Sequence, residues 1–209
     1  MKSGASGTVG AILKRIRKLG RGAVFTPDTF CDLAPSSTVT TSLKRLADDG
    51  TLRRLARGLY DYPATHPTIG VRAPSTDAIA DALAGRDATR VQASGAYAAN
   101  LLGLSTQVPM RVVYLTDGRS RQVDLGRLKI ILKHTTPKNM ATAGTISGLV
   151  IQALRHLGQH YVDEDIIATL NRRLDDDARK QLLEDVRYAP AWIGEIMKHL
   201  GNKGANPTP

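Results

Sequence analysis

The chain holds one cysteine, Cys31, among its 209 residues. That excludes an intrachain disulfide and a cysteine-built zinc cage, and a reducing cytoplasm is the expected location. No stretch approaches the roughly 18 consecutive apolar residues of a membrane helix. The opening segment, Met1 to Thr8, is polar and has no apolar run, so no secretory signal is expected. A glycine-rich phosphate loop is missing too, because Gly144 to Gly148 is too short and has no lysine. Acidic residues are also in short supply. Asp and Glu number 19 against 29 Lys and Arg, for a formal charge of +10.

The basic excess is unevenly placed. Met1 to Pro74 contains 12 of the basic and 5 of the acidic residues, a net +7 that leaves +3 for the rest. A field of that sign attracts nucleic acid or another anionic surface. The Pro-rich stretch Pro63 to Pro74 has little periodicity and reads as a linker or a crossing strand. The expected organisation is one domain over 1–66, a second over 67–200, and a disordered tail over 201–209.

In the first domain, Val9, Ile12, Leu13, Ile16 and Leu19 recur at helical spacing, which predicts a helix over Thr8 to Leu19 ended by Gly20. Lys14, Arg15, Arg17 and Lys18 fall on or beside its other face. Thr26 is placed to cap a short helix over Pro27 to Leu33, with Phe30 and Leu33 inward. Ala34-Pro35-Ser36 breaks it. Ser36 or Ser37 then caps a third helix running to about Asp49, with Val39, Leu43 and Leu46 inward. Thr51 to Leu55 and Leu59 to Tyr62 read as two strands, joined by Ala56-Arg57-Gly58.

Helix, short helix, turn, third helix and basic hairpin is the order of a winged helix-turn-helix, whose second motif helix enters the major groove of DNA. Here that helix begins near Ser37. With its apolar stripe inward, Thr38, Thr41, Lys44 and Arg45 face out, and Ser37 and Thr40 form the leading edge. Ser37, Thr38 and Thr41 suit base edges or a thymine methyl, and Thr40 and Lys44 suit phosphate. Arg45 can reach a guanine or a phosphate. Arg53, Arg54 and Arg57 belong to the wing, over the adjacent backbone or the minor groove.

The second domain reads as mixed. Helices are expected over Ser75 to Leu83 and Ser94 to Leu102. Strands are expected over Met110 to Thr116, Arg121 to Leu125 and Leu128 to His134, forming a small antiparallel sheet. Four helices follow, over Thr145 to Leu157, Val162 to Leu174, Asp176 to Asp185 and Pro190 to Leu200. The fold class is therefore α+β. No catalytic constellation emerges, so an enzyme is not expected, nor is a metal or other cofactor. His156 and His160 lack the intervening glutamate of a helical zinc pair and are separated by Gly158. Asp117 is explained by its Asp-Gly turn. Asp175, Asp176 and Asp177 sit where a helix N-terminus favours carboxylates. Arg111, Arg119, Arg121, Arg127, Lys129 and Lys133 gather around the expected sheet as either a solvated face or a second surface for a polyanion.

Three segments taken in order resemble a known family. They are Leu52 to Pro63 (LRRLARGLYDYP), Gln92 to Leu104 (QASGAYAANLLGL) and Met110 to Gly118 (MRVVYLTDG). Together they resemble the AbiEi antitoxins of type IV toxin–antitoxin systems. The resemblance implies an N-terminal winged helix-turn-helix that represses the chain's own promoter at inverted repeats. It also implies a C-terminal domain that counters a nucleotidyltransferase-type toxin without a stable complex. The partners so implied are double-stranded promoter DNA and, functionally, that toxin, with no membrane. The alternative is a ligand-responsive winged-helix regulator unconnected with a toxin.

Overall fold

The computed structural model describes residues 3–68, 70–85 and 90–202. The fold is mixed α+β, with several helices and small antiparallel sheets. Two compact units divide the chain: Met1–Ala88 with Arg121–Ile130, and Thr89–Ser120 with Ile131–Pro209.

The first unit opens with α1 (Ser3–Leu19), which starts earlier than the apolar stripe alone suggests. Ile12 and Ile16 are buried and Val9 and Leu13 pack beside them, but Leu19, expected inward, is 49% exposed. Gly20 stops the helix with a φ of +89°, a left-handed geometry that glycine adopts without penalty. Val24 and Phe25 form β1 (Val24–Phe25). The short helix is a single 3-10 turn over Pro27–Phe30. Its Thr26 occupies the capping position without making a side-chain capping bond. Phe30 is buried and meets Phe25 edge-on, with ring centroids 5.3 Å apart.

Next come α2 (Ser36–Asp48), β2 (Arg53–Ala56) and β3 (Leu59–Asp61). The sheet order is β1-β3-β2, antiparallel throughout. The connection between β2 and β3 is tighter than the expected three residues. Arg57 and Gly58 alone turn the chain, Gly58 has a φ of +72°, and the register shifts between Arg54 and Ala56. Ile12, Ile16, Phe25, Phe30, Val39, Leu43, Leu46, Leu52 and Tyr60 make one core. The stretch read as a linker holds a small two-stranded ladder, β4 (Thr65–His66) with β5 (Gly70–Val71). Then α3 (Thr76–Ala84) is capped by Ser75, whose hydroxyl accepts the Ala78 N–H at 3.1 Å. This helix packs against β1, and its Ile79, Ala80 and Leu83 are buried. The first compact unit thus continues past Pro74.

β6 (Val91–Ser94) runs directly into α4 (Gly95–Leu101). β7 (Arg111–Thr116), β8 (Arg121–Asp124) and β9 (Lys129–His134) follow. The sheet has four strands rather than three, in the order β6-β7-β9-β8. The additional strand is β6, which pairs antiparallel with β7 so that Ala93 lies opposite Tyr114. Val91-Gln92-Ala93-Ser94 alternates apolar and polar, but four residues are too few to mark a strand by themselves, and the pairing with β7 defines them as one.

The rest is helical: α5 (Pro137–Met140), α6 (Ile146–Leu157), α7 (Glu164–Arg173), α8 (Asp176–Asp185) and α9 (Ala191–Asn202). Thr145, Asp163 and Asp175 each cap the helix that follows by accepting a backbone N–H. Leu154, Leu170, Leu182, Ile193 and Met197 are among the fully buried centre of this unit. Gly201 and Asn202, expected in the tail, belong to α9. Gly201 is buried within α9, because a glycine there lets Leu183 approach where a Cβ would lie 2.5 Å from its Cγ. Residues 203–209 lie outside the described residues. No helix among the described residues is long and apolar enough to cross a membrane.

Candidate nucleic-acid interface

The spacing of Val39, Leu43 and Leu46 decides which side of α2 is available. All three are buried, and they carry the opposite side of the helix outward. Ser37, Thr40, Thr41, Lys44 and Arg45 are exposed there and Thr38 is half-buried.

The start of α2 differs from the expected serine cap. Pro35 takes the capping position with a φ of −53° and a ψ of 145°, and Ser36 is already helical. A proline ring presets the φ that the chain needs on entry, so no serine has to supply it. No side chain caps the helix, and the first-turn N–H groups form an anion-favouring end. The hydroxyls behind it turn inward. Thr40 donates to the Ser36 carbonyl at 2.8 Å, Thr41 to Ser37 at 2.9 Å and Ser42 to Thr38 at 2.8 Å. At the other end, Asp49 accepts the Thr51 N–H at 2.9 Å. Hydrogen bonding from Thr51, helped by the charge of Arg45, holds the Asp49 carboxyl below its usual range.

A shallow open cleft of about 280 Å³ runs along this face, lined by Val9 of α1 and by Ser37, Thr38, Thr41, Ser42 and Arg45 of α2. Val9 could not be assigned to it from spacing, since the same periodicity that marks Val9 as apolar also marks it as core.

The three hairpin arginines separate by role. Arg53 lies opposite Asp61 across the ladder, and its guanidinium grips that carboxylate with two hydrogen bonds, Nε to Oδ1 at 3.0 Å and Nη2 to Oδ2 at 2.5 Å. Nη2 also donates to the Arg72 carbonyl at 2.9 Å. Asp61 is 1% exposed, so its charge depends on this partner. Arg53 is therefore turned to the fold. Arg54 and Arg57 are exposed, with Arg57 at the turn.

The basic face of α1 divides in the same way. Arg15 binds Asp32 through both carboxylate oxygens at 2.7 and 2.8 Å, a bond that raises the guanidinium pKa and ties α1 to the segment before α2. Arg21 stacks over Tyr62 at 4.8 Å and donates to the Pro63 carbonyl at 3.0 Å. Lys14, Arg17 and Lys18 remain exposed.

In the second unit and the β8–β9 segment, Arg111, Arg119, Arg127 and Lys133 are exposed while Arg121 and Lys129 are half-buried. Asp117 accepts the Arg90 backbone N–H and its Nε, both at 3.3 Å, and Asp124 accepts the Gly126 N–H at 2.9 Å. Both carboxylates thus hold loops. His156 lies in the last turn of α6 and His160 belongs to a separate 3-10 turn, with Gly158 at a φ of +84° between them.

The family profile of DUF6088, described as a family of unknown function, matches residues 11–182, spanning most of both units. The chain belongs to DUF6088. No curated protein matches this DUF6088 chain. Among solved structures it is similar to the crystal structure of the RV2827C protein from Mycobacterium tuberculosis. That likeness has a TM-score of 0.43 and 17% identity, and covers 92% of this chain and 76% of the other.

Proposed function

We propose that the first unit is a winged helix-turn-helix that binds double-stranded DNA, with α2 in the major groove and the β2–β3 hairpin as the wing. The observation that carries this reading is the outward face of α2. It presents two basic side chains, Lys44 and Arg45, and small hydroxyl residues at an uncapped helix start, with Arg54 and Arg57 exposed on the hairpin that follows. Lys44, Arg54 and Arg57 neutralise phosphates in this reading, Thr40 and the N-terminus of α2 position the backbone, and Arg45 reaches a guanine edge or a phosphate. Arg53 leaves the contact set, because Asp61 holds it.

The whole chain is then an autorepressing antitoxin of the type IV class. Its first unit recognises inverted repeats in its own promoter, and its second unit counters a nucleotidyltransferase-type toxin without a stable complex. The support is the set of three segments that resemble AbiEi antitoxins. They fall on the β2–β3 hairpin, on β6 with α4, and on β7, and the last two are neighbours in the sheet.

Electrophoretic mobility shift with the full chain and its upstream DNA, at several salt concentrations, tests the first part. Specific retardation is expected, with an affinity that falls steeply with salt and less steeply in an Arg57→Ala variant. Binding indifferent to sequence and unaltered by Lys44→Ala, Arg45→Ala and Arg57→Ala together would overturn it. Co-expression with a neighbouring nucleotidyltransferase gene tests the second part. Restored growth is expected, and failure of the chain to rescue would remove the antitoxin role.

A ligand-responsive regulator is a second reading, favoured by an open cleft of about 700 Å³ in the second unit. Val162, Ile167 and Ile196 line it beside Glu164, Asp165 and His199. Four apolar side chains stand there beside five polar or charged ones, Gln159 and Asp163 included, a mixed lining that suits a small polar organic ligand. A metabolite that releases the chain from its DNA, and fails to do so after Ile196→Trp, is the outcome that reading requires.

A further inference from the structure

The side chains on the groove-facing surface of α2 differ in what they can offer a base. A threonine has one hydroxyl proton to donate. In Thr41 that proton goes to the Ser37 carbonyl at 2.9 Å, and in Ser42 it goes to the Thr38 carbonyl at 2.8 Å. Neither hydroxyl has a proton left for the acceptors that guanine and thymine show in the major groove. What remains of Thr41 for a ligand is its γ-methyl and a hydroxyl oxygen that can accept but not donate. The cleft that Thr41 lines also receives Val9, an aliphatic side chain brought from α1. Two β-branched side chains from different helices therefore line one cleft with Arg45.

We infer that Thr41 and Val9 form an apolar seat for the 5-methyl group of a pyrimidine, so that this position of α2 reads thymine by its methyl and not by hydrogen bonding. The inference rests on the DNA-binding reading of α2 and adds its specificity. It has a direct corollary. A cytosine at the same place loses the methyl contact, and 5-methylcytosine recovers it in part, because the methyl is the feature it shares with thymine.

The test uses the full chain and a pool of duplexes with a randomised 20-base-pair centre. Duplexes enriched by binding are resynthesised with deoxyuracil replacing one thymine at a time, and dissociation constants are measured by fluorescence anisotropy. Wild-type protein should lose about fourfold in affinity at one thymine per recognised half-site, the value of burying one methyl-sized group. Thr41→Val, which keeps the γ-methyl and lacks the hydroxyl, should keep the preference for thymine over uracil duplexes. Thr41→Ser, which keeps the hydroxyl and lacks the methyl, should bind thymine and uracil duplexes alike. Enriched duplexes that bind wild type equally with thymine or uracil everywhere would overturn the methyl seat and leave the DNA reading intact. Loss of binding in Thr41→Val with retention in Thr41→Ser would overturn it too, by assigning recognition to the hydroxyl. No enrichment of any duplex would overturn the DNA reading and this inference with it. The uracil series uses unaltered protein, so it stands whatever the variants do to folding.

Discussion

Two helices of nearly equal length, α2 with 13 residues and α6 with 12, are used in opposite ways. In α6 the buried residues are Ser147, Gly148, Val150, Ile151, Gln152, Ala153 and Leu154, so the helix is enclosed on most sides. Two of its buried residues hydrogen-bond inside the unit. Gln152 accepts from Ser94 at 3.2 Å, and Gly148 donates to its own cap, Thr145, at 3.1 Å. In α2 a single stripe, Val39, Ser42, Leu43 and Leu46, meets the core and the rest stays outside. A helix enclosed all round has no surface for a partner and serves as scaffold. A helix attached by one stripe keeps a face whose composition answers to something other than folding.

That contrast breaks most visibly under Gly148→Ala. A Cβ at this position would lie 2.1 Å from the Thr142 carbonyl oxygen and 2.5 Å from Gln92 Oε1, and backbone cannot yield cheaply. A loss of about 3 kcal/mol is expected in urea unfolding of the full chain. On α2, the matched change Thr41→Ala should alter stability by no more than about 0.5 kcal/mol. Equal losses at the two sites would end the comparison.

The hairpin arginines sharpen it within one element. Arg53→Ala strands the Asp61 carboxylate in the core and should cost about 2 kcal/mol of stability, discounted because Arg53 itself is 35% exposed. A smaller effect, confined to binding, is expected of Lys44→Ala with Arg45→Ala. Affinity for the upstream duplex should fall about tenfold, within the range of one lost base contact, with melting unchanged. The least change is expected of Arg57→Ala. It should leave thermal melting as it was and reduce the slope of log affinity against log salt by about 0.9, the value of one phosphate contact.

How far the residues alone announce all this depends on the range over which each feature is specified. The inward faces of α1 and α2 were readable because burial recurs every three or four residues. The starts of α3 and α6 were readable at Ser75 and Thr145, where in the structure a hydroxyl accepts the N–H three residues ahead. Serine at the start of α2 misled, since Pro35 delivered the same entry geometry one position earlier. β1 and β6 have two and four residues, too few for a pattern to identify them, and both are defined by partners far along the chain. The candidate interface was legible on α2 and only half legible on the hairpin.

Spacing along the chain by itself determined which side of α2 faces outward, because helical geometry converts Val39, Leu43 and Leu46 into one face without reference to anything else. It also determined that the first 74 residues carry most of the net positive excess. Tertiary structure alone decided which of those charges remain for a partner. Asp32, 17 residues from Arg15, and Asp61, eight residues from Arg53, each claim a guanidinium. Val9 reaches the cleft of Thr41 in the same way, across a helix pair. Ion pairing and van der Waals contact depend on distance in space, and for residues on different elements that distance is set only when the elements pack.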